Sequence, residues 1–192
     1  MKIISFDGIR ASGKSSQLFI LAKTLSEEGK RSKIIHEKDY EPFRSLALEW
    51  SRAPYKKFNK IDSIRFAKAR KKVCQQEIYP FLDRIDYFLF DRYFYTSAVY
   101  QQGILSMEDI IKINLQEGTP NPNDSLIFIC NPDIVSIRMQ AKDKYVESLE
   151  EITKRRSLYI QLCDEHPELY LIDTTNKTED EVFEEVRRRL KL

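Results

Sequence analysis

The chain has 192 residues, enough for one domain with a full hydrophobic core and too few for two domains of ordinary size. Its 32 Lys and Arg residues nearly balance its 30 Asp and Glu residues, and the net charge of +2 does not support non-specific binding to nucleic acid or to a membrane surface. Hydrophobic residues make up 42% of the chain and aromatic residues 11%, as in ordinary folded proteins. We therefore expect a single domain over residues 1–192, whose partners must be inferred from individual sites.

The sequence contains no segment with the features of a targeting or membrane-spanning element. Each apolar stretch is far shorter than the ~18 residues that cross a bilayer, and the N-terminus lacks the pattern of a secretory signal. The 3 cysteines, Cys74, Cys130 and Cys163, are an odd number without paired spacing, so we expect free thiols. These features predict a cytoplasmic protein with no membrane or nucleic-acid partner.

Five short apolar segments predict β-strands, and helical patterns follow each of them. In chain order these segments are Lys2–Phe6, Lys33–Glu37, Asp86–Phe90, Ser125–Cys130 and Leu169–Asp173. The whole chain follows the order β, α, β, α, α, β, α, α, β, α, α, β, α, which predicts a five-stranded parallel sheet with helices on both faces. In such a fold ligands bind at the carboxyl ends of the strands, so the chemistry is expected just after each strand.

Glycine, proline and capping residues predict where the helices begin and end. Gly29 predicts the end of the first helix, and Asp62 with Ser63 predicts the cap of a long helix that reaches Tyr79, before Pro80. Residues 118–124, GTPNPND, predict an irregular loop before the fourth strand.

A phosphate-binding motif follows the first predicted strand. The segment FDGIRASGKSSQ, residues 6–17, contains G-x-x-x-x-G-K-S between that strand and a helix. The glycines let the backbone wrap around phosphate oxygens, while the lysine reaches the β and γ phosphates and the serine can ligate magnesium. The residues expected to bind the nucleoside triphosphate are Gly8, Ile9, Arg10, Ala11, Ser12, Gly13, Lys14, Ser15 and Ser16.

The GTPase class is disfavoured because its other elements are missing. No aspartate is followed by glycine three residues on, as the D-x-x-G switch element requires. Asn176-Lys177-Thr178-Glu179 lacks the final aspartate of the element that reads guanine.

Two charged residues stand at the predicted end of the third strand. There Asp91 can hold magnesium directly or through water, and Arg92 can clamp a phosphoryl group. In the following helix four residues fall at spacings of three and four and can face one cleft, namely Tyr93, Ser97, Tyr100 and Gln101.

With these motifs the chain resembles the thymidylate kinase family of nucleoside monophosphate kinases, which have a P-loop NTP hydrolase fold with a short lid. The resemblance rests on FDGIRASGKSSQ, on DRYFYTSAVYQ, on the upstream FAKARKKV and on a late lysine-containing segment, and it covers essentially the whole chain in order. It implies that Phe66 stacks on the thymine base and that Arg70 hydrogen-bonds it. It also implies that Tyr100 and Gln101 line the pocket for the deoxyribose and the base.

The resemblance assigns three further arginines to the substrates. Arg92 would contact the phosphate of the acceptor, and Arg44, in EPFRSLALEW, would help to grip it. Arg138, in VSIRM, would lie along the adenine of ATP.

The resemblance also implies a lid at about residues 139–148 that covers the transferring phosphoryl group. Lys142 and Lys144 are its basic residues, and Arg10 in the loop can supply positive charge to the same group. The residues expected to act in catalysis are therefore Lys14, Arg92 and Arg10.

Two features depart from the family pattern. Members usually carry an acidic residue two places after the first loop glycine, where it orients the sugar of the acceptor, and this chain has Arg10 there. The usual R-E-P stretch after the second strand is replaced by His36-Glu37-Lys38-Asp39. Both changes lie on the acceptor side and bear on the identity of the acceptor.

The resemblance as a whole implies transfer of the γ-phosphoryl group of ATP to a pyrimidine deoxynucleoside monophosphate, with dTMP, giving dTDP, as the first choice. Mg²⁺ would be held by Ser15 and Asp91, and the protein would be a homodimer. Two alternatives stay open: a kinase for another nucleotide or nucleoside, and a nucleotide-binding protein with weakened catalysis.

Overall fold

The computed structural model describes residues 1–52, 58–101, 103, 105–142 and 147–192. The order of strands and helices is the predicted one, and the ends of the five strands lie within two residues of their predicted positions. Two 3₁₀ turns, Glu37–Asp39 and Tyr79–Phe81, are additional. The elements are β1 Lys2–Gly8, α1 Lys14–Glu27, β2 Ser32–Ile35, α2 Phe43–Ser51, α3 Lys60–Glu77, β3 Tyr87–Asp91, α4 Phe94–Tyr100, α5 Met107–Gln116, β4 Asp124–Ile129, α6 Pro132–Lys142, α7 Leu149–Glu165, β5 Tyr170–Asp173 and α8 Glu179–Leu190.

The five strands form one parallel sheet in the order β2-β3-β1-β4-β5. Because β1 lies at the centre, the segment that follows it emerges between the ends of β3 and β4. The register pairs Phe6 of β1 with Asp91 of β3, and Gly8 with Phe128 of β4. The phosphate-binding segment and Asp91 therefore stand side by side at the carboxyl edge of the sheet.

Successive residues of a strand point to opposite faces of the sheet, and apolar side chains project from both faces here. Helices therefore cover both faces. Ile3 packs into a core with residues of α3, α4, α5 and α7, whereas Ile4 packs into a second core with residues of α1 and α8. In the second core the rings of Phe6 and Phe128 stack with centroids 5.7 Å apart. Each such fully buried side chain stabilises the fold by roughly 1.5–3 kcal/mol. No helix in the described ranges is long and apolar enough to cross a membrane.

The start of α3 differs from the prediction. Asn59, and not Asp62 or Ser63, caps this helix: its side chain accepts a hydrogen bond from the Asp62 N–H at 3.1 Å. The Asp62 carboxylate in turn accepts from the Asn59 N–H at 3.3 Å, so the two residues form a capping box. Gly29 ends α1 in the left-handed conformation, with φ of 74°, as predicted.

Candidate active site

Two cavities open at the carboxyl edge of the sheet and meet at the phosphate loop, residues 8–15. The smaller cavity, about 380 Å³, lies between the start of α1, Arg138 of α6 and the β5–α8 connection. The larger cavity, about 690 Å³, lies between the β2–α2 connection, α3 and α4. Ala11, Lys14 and Ser15 line both of them. Groups bound in the two cavities would therefore face each other across these three residues.

The phosphate loop is held in place by its own hydrogen bonds. The Ile9 carbonyl accepts from Lys14 Nζ at 2.7 Å and from Ser12 Oγ at 2.9 Å. Gly13 immediately precedes α1 with φ of 88°, and no side chain caps the helix. The first N–H groups of α1 are thus directed at the smaller cavity, where a helix N-terminus binds anions.

Lys14 is a buried cation, with only 5% of its surface exposed. Burial lowers the pKa of its ammonium group from 10.5 to about 7, and Arg92 lowers it further, while the carboxylates of Asp91 and Asp7 oppose the shift. At neutral pH this lysine is therefore close to its titration midpoint. A phosphate group beside it would restore the charged form.

Ser15 and Asp91 form a pair of possible oxygen ligands near the point where the cavities meet. Ser15 Oγ donates to Asp91 Oδ2 at 3.0 Å, and His36 Nδ1 lies 3.5 Å from the same oxygen. A hydroxyl and a carboxylate fit Mg²⁺, which binds few protein oxygens and several from phosphates and water. No cluster of three or more His, Cys, Asp or Glu residues occurs among the residues described, so a cation here would depend on this pair and on a bound phosphate.

Arg92 is fixed at the mouth of the loop by its backbone and its side chain. Its backbone is in the left-handed region, with φ of 73°, and its N–H donates to the Phe6 carbonyl at 2.9 Å. Nη1 donates to the Gly8 carbonyl at 3.1 Å, and the guanidinium lies 5.5 Å from the centre of the Tyr100 ring. Burial alone would lower the pKa of Arg92, but Tyr100, Tyr159 and nearby carboxylates raise it on balance. The group stays charged while it faces the larger cavity.

Asp7 joins the end of β1 to the start of α4. Its Oδ1 accepts three hydrogen bonds, from the Tyr93 N–H at 2.9 Å, the Thr96 N–H at 2.8 Å and Thr96 Oγ1 at 2.6 Å. Its Oδ2 is buried and has no hydrogen-bond partner among the described residues. Asp7 is not among the residues predicted from the sequence. The signal was available, because a carboxylate at the end of the central strand directly precedes the first loop glycine.

An aromatic wall closes the end of the larger cavity that is remote from the loop. Phe66 packs edge-on against Phe43, with centroids 5.4 Å apart, and lies 5.7 Å from Phe58. Trp50 stacks on Phe58 at 3.5 Å. All three phenylalanines line the larger cavity, which therefore offers a flat base an apolar surface.

Arg70 lies beside this wall and is 1% exposed. Its Nε and Nη2 donate to the two carboxylate oxygens of Glu37, and the Nη2 bond measures 3.0 Å. Nη2 also donates to Ser97 Oγ at 2.9 Å, and Nη1 donates to Asn114 Oδ1. The guanidinium that is predicted to meet a base is therefore anchored by three other side chains.

The side of the larger cavity formed by the end of α4 carries polar atoms that lack partners. Tyr100 Oη and Gln101 Oε1 are buried and make no hydrogen bond within the described part of the chain. The Arg155 guanidinium lies 4.3 Å from the centre of the Tyr100 ring and forms an ion pair with Glu147, which also lines the cavity. Such unpaired buried groups are suited to a polar ligand.

The structure brings most of the predicted site residues to the two cavities. Arg138 lines the smaller cavity, and its Nη1 donates to the Ala11 carbonyl at 3.2 Å. The smaller cavity is lined by Ala11, Ser12, Gly13, Lys14, Ser15, Ser16 and Arg138, and the larger by Phe66, Arg70, Arg92, Tyr100, Gln101 and Asp91.

Four predicted residues lie elsewhere than expected. Arg10 is among the described residues that line the larger cavity and not among those that line the smaller one. Gly8 and Ile9 are buried beneath the loop and contribute carbonyl acceptors to Arg92 and Lys14. Arg44 is exposed and is not among the described residues that line either cavity.

Arg44 is held outside the cavity by the backbone that precedes it. Its Nη2 donates to the Asp39 carbonyl at 2.6 Å, and its Nε donates to the Lys38 carbonyl at 3.3 Å. Lys38, and not Arg44, is among the described residues that line the larger cavity.

The expected lid lies largely outside the described residues. Residues 139–142 form the end of α6, and α7 begins at Leu149. Lys144 and the side chain of Lys142 are outside the described part of the chain.

Comparisons with known proteins agree on one family. The family model for thymidylate kinase matches residues 6–186 of this chain. Thymidylate kinase of Thermosipho melanesiensis is 29% identical over 195 residues, which cover 96% of this chain and 95% of that protein. Thymidylate kinase of Leptospira borgpetersenii is 30% identical over 187 residues, which cover 95% of this chain and 89% of that protein.

Two solved structures share the fold. Thymidylate kinase from Candida albicans superposes with a TM-score of 0.73 at 21% identity and covers 99% of this chain and 91% of its own. Thymidylate kinase from Ehrlichia chaffeensis superposes with a TM-score of 0.72 at 21% identity and covers 100% of this chain and 98% of its own.

Proposed function

The chain belongs to the thymidylate kinase family, whose members transfer a phosphoryl group from ATP to dTMP and form dTDP. We propose that ATP binds in the smaller cavity of this chain and that dTMP binds in the larger one. The observation that carries this assignment is the shared lining of the two cavities by Ala11, Lys14 and Ser15. A γ-phosphoryl group at Lys14 would lie at the boundary that an acceptor phosphate reaches from the other side.

The smaller cavity has the groups that the triphosphate of ATP requires. The free N–H groups at the start of α1 and the Lys14 ammonium would bind phosphate oxygens. Arg138 lines the same cavity, where it is hydrogen-bonded to the Ala11 carbonyl of the loop, and it would lie along the adenine. The fit supports a nucleotide donor bound with its γ-phosphate towards the larger cavity.

The larger cavity has opposite chemical character at its two ends. Lys14, Arg10 and Arg92 line the end at the loop, and the aromatic wall with Phe66 lines the other. A nucleoside monophosphate has a charged end and a flat apolar end, so it fits in one orientation only. That orientation directs the phosphate towards ATP and the base towards Phe66.

The reaction needs positioning and charge neutralisation more than covalent chemistry. An oxygen of the acceptor phosphate is already a nucleophile, and the protein must hold it in line with the γ-phosphoryl group. The side chains of Lys14 and Arg92 are hydrogen-bonded to loop carbonyls, so their nitrogen atoms are in position before the substrates bind. Such preorganised groups stabilise the transferring phosphoryl group without a cost for reorientation.

Ser15 and Asp91 would hold Mg²⁺ in the working enzyme. The ion would supply further positive charge to the phosphate oxygens and help to orient them. The hydroxyl and the carboxylate already face each other, which supports this assignment.

We further place the enzyme in the cytoplasm and assign it a homodimeric state. Leu48 of α2, Ile61 of α3 and Leu115 of α5 are exposed apolar side chains on helices that pack against one another. Sedimentation velocity tests the assembly: we expect a species of twice the 22.8 kDa chain, and a species of the single mass would contradict it.

The function is tested by measuring ADP release from ATP and Mg²⁺ with each common nucleoside monophosphate and with free thymidine. We expect turnover with dTMP, weaker turnover with dUMP and little with dCMP. Turnover with thymidine but not dTMP would make the protein a nucleoside kinase. ATP binding without turnover on any acceptor would make it a nucleotide-binding protein with weakened catalysis. Either result would overturn the proposal.

A further inference from the structure

The anchoring of Arg70 involves a residue of α5 that does not line either cavity. Asn114 is 1% exposed, and its Oδ1 accepts from Arg70 Nη1. Its Nδ2 donates to the Ile110 carbonyl at 2.8 Å. A carbonyl on one side and a guanidinium on the other allow only one orientation of the amide, so the acceptor oxygen must face Arg70.

The anchors leave Arg70 with one donor for a ligand. A guanidinium has five N–H donors, and Glu37, Ser97 and Asn114 together take four of them. The fifth, on Nη1, has no partner among the residues that the structure describes. The Asn114 bond is made by the same nitrogen, so it determines how this remaining N–H is directed.

We propose that Asn114 is a positioning residue for base selection, which fixes Nη1 of Arg70 so that its remaining N–H meets the keto oxygen of thymine or uracil. The inference rests on the proposed function, in which the base lies against Phe66 beside Arg70. Phe66 and Arg70 both line the larger cavity, whereas Asn114 acts only through Arg70.

The selection follows from what an arginine can and cannot do. A guanidinium donates hydrogen bonds and accepts none, so a fixed N–H pairs with the O4 acceptor of thymine and opposes the amino group of cytosine. The discrimination requires that the guanidinium cannot turn away from the wrong base. Glu37 holds the Nε–Nη2 edge, and Asn114 holds the remaining corner.

The experiment compares kcat/KM for dTMP and dCMP in the wild-type enzyme and in Asn114→Leu. Leucine has nearly the shape of asparagine but offers no acceptor, so Nη1 loses its anchor. The ratio of the two kcat/KM values does not depend on how much of a preparation is folded, so it remains informative if the variant is less stable. Asn114→Ala gives the same readout if the leucine variant yields no soluble protein.

Thr119→Val is the matched control, because it removes a buried polar contact between the same region and α3 without touching Arg70. Thr119 Oγ1 donates to the Ala67 carbonyl at 3.5 Å, one turn of α3 away from Arg70. This control reports any loss of selectivity that comes from loosening α3 alone.

We expect the dTMP-to-dCMP ratio to fall about tenfold in Asn114→Leu, through a lower kcat/KM for dTMP, and to stay within twofold of wild type in Thr119→Val. The KM for ATP should stay unchanged in both. An unchanged ratio in active Asn114→Leu, or an equal fall in Thr119→Val, would overturn the role of Asn114. Absence of dTMP turnover in the wild-type enzyme would instead overturn the proposed function.

Discussion

Lys14 is the residue on which both cavities depend. It is buried at their boundary and hydrogen-bonded to the Ile9 carbonyl. Burial and the nearby charge of Arg92 lower the pKa of its ammonium group. Burial makes this position unfavourable for a cation. The phosphates of bound substrates would favour the charged form of Lys14.

Replacement of Lys14 by methionine should abolish most of the activity and leave the fold intact. Methionine fills the same space but carries no charge, so kcat is expected to fall roughly 10²–10³-fold. The melting temperature should not fall, because the buried charge is removed together with its desolvation cost. Steady-state kinetics and thermal denaturation check both parts. Turnover within tenfold of wild type would refute the assigned role of Lys14.

The lowered pKa of Lys14 predicts that ATP binding takes up a proton. The free enzyme has a Lys14 pKa of about 7, and bound phosphates raise it, so at pH 8 a neutral lysine becomes charged on binding. The affinity for ATP should therefore weaken as pH rises above about 7. Titration calorimetry at pH 8 in buffers of different ionisation enthalpy measures the uptake. Equal apparent enthalpies in all buffers, or the same uptake in Lys14→Met, would contradict it.

The lowered pKa of Lys14 also determines how its contribution to the free energy of unfolding changes with pH. Unfolding returns Lys14 to a pKa of 10.5, so between about pH 7 and 10.5 the unfolded chain binds more protons than the folded one. The contribution of Lys14 to the free energy of unfolding therefore rises with pH across this window. It is fully unfavourable below pH 7, where both states carry the charge.

The position of Arg10 predicts that it acts on the acceptor rather than on ATP. Arg10 lines only the larger cavity, so Arg10→Ala should lower kcat/KM for dTMP about tenfold or more and leave the KM for ATP within twofold. Arg44→Ala is the matched control, since this exposed arginine lies outside both cavities. A larger loss of acceptor kcat/KM from Arg44→Ala than from Arg10→Ala would reverse the assignment.

For single residues, the sequence could identify which residue types belong to the site, but not always which cavity each of them lines. The motif spacing was enough to place Lys14, Ser15, Asp91 and Arg92 together, because each follows a central strand of a parallel sheet. The direction of Arg10 depends on how the loop turns at Ala11, which has a left-handed φ of 51° that no spacing rule specifies.

Among the elements, the β1–loop–α1 unit is the most constrained by backbone geometry. Gly8 has φ of 132°, and a Cβ at this position would lie 2.0 Å from the Phe128 carbonyl oxygen of β4. Gly13 has φ of 88° but has open space where a side chain would begin. The first glycine allows two backbones to approach closely, and the second only lets the chain turn into the helix.

Gly8→Ala and Gly13→Ala should therefore differ in their effect on stability. Gly8→Ala combines backbone strain with a clash against fixed backbone, and it should cost roughly 2–6 kcal/mol of the free energy of unfolding. Gly13→Ala adds only the cost of a left-handed alanine, about 1–2 kcal/mol. Urea denaturation of the two variants measures the difference. An equal loss in both would show that the close approach to Phe128 is not what requires Gly8.

The order of the elements followed from hydrophobic patterning, because short buried strands and longer helical repeats alternate without ambiguity along this chain. The capping residue of α3 was harder to predict from the sequence. Asp62 has the chemistry of a capping residue, but it is the third residue of the helix and completes a box that Asn59 begins. Deciding between two such residues requires the position of the preceding chain, which local sequence does not contain.

In the molecule as a whole, the candidate active site is held together by contacts between elements that are distant in sequence. The segment after β2 illustrates this: His36 lies against Asp91 at the phosphate end, and the next residue, Glu37, holds Arg70 at the base end. The resemblance indicated that Arg70 faces the base, whereas its three anchors come from the β2–α2 connection, α4 and α5. Such convergence is a property of the tertiary fold, so the anchors could be identified only in the structure.

The fate of the γ-phosphoryl group tests the whole account most directly. The enzyme is incubated with ATP labelled at the γ-phosphate, Mg²⁺ and dTMP, and the labelled products are separated. If the two cavities face each other across Lys14, all transferred label appears in dTDP, ADP forms in equal amount, and both stop when dTMP is omitted. Label released chiefly as inorganic phosphate, or ADP formed at the same rate without dTMP, would contradict the account.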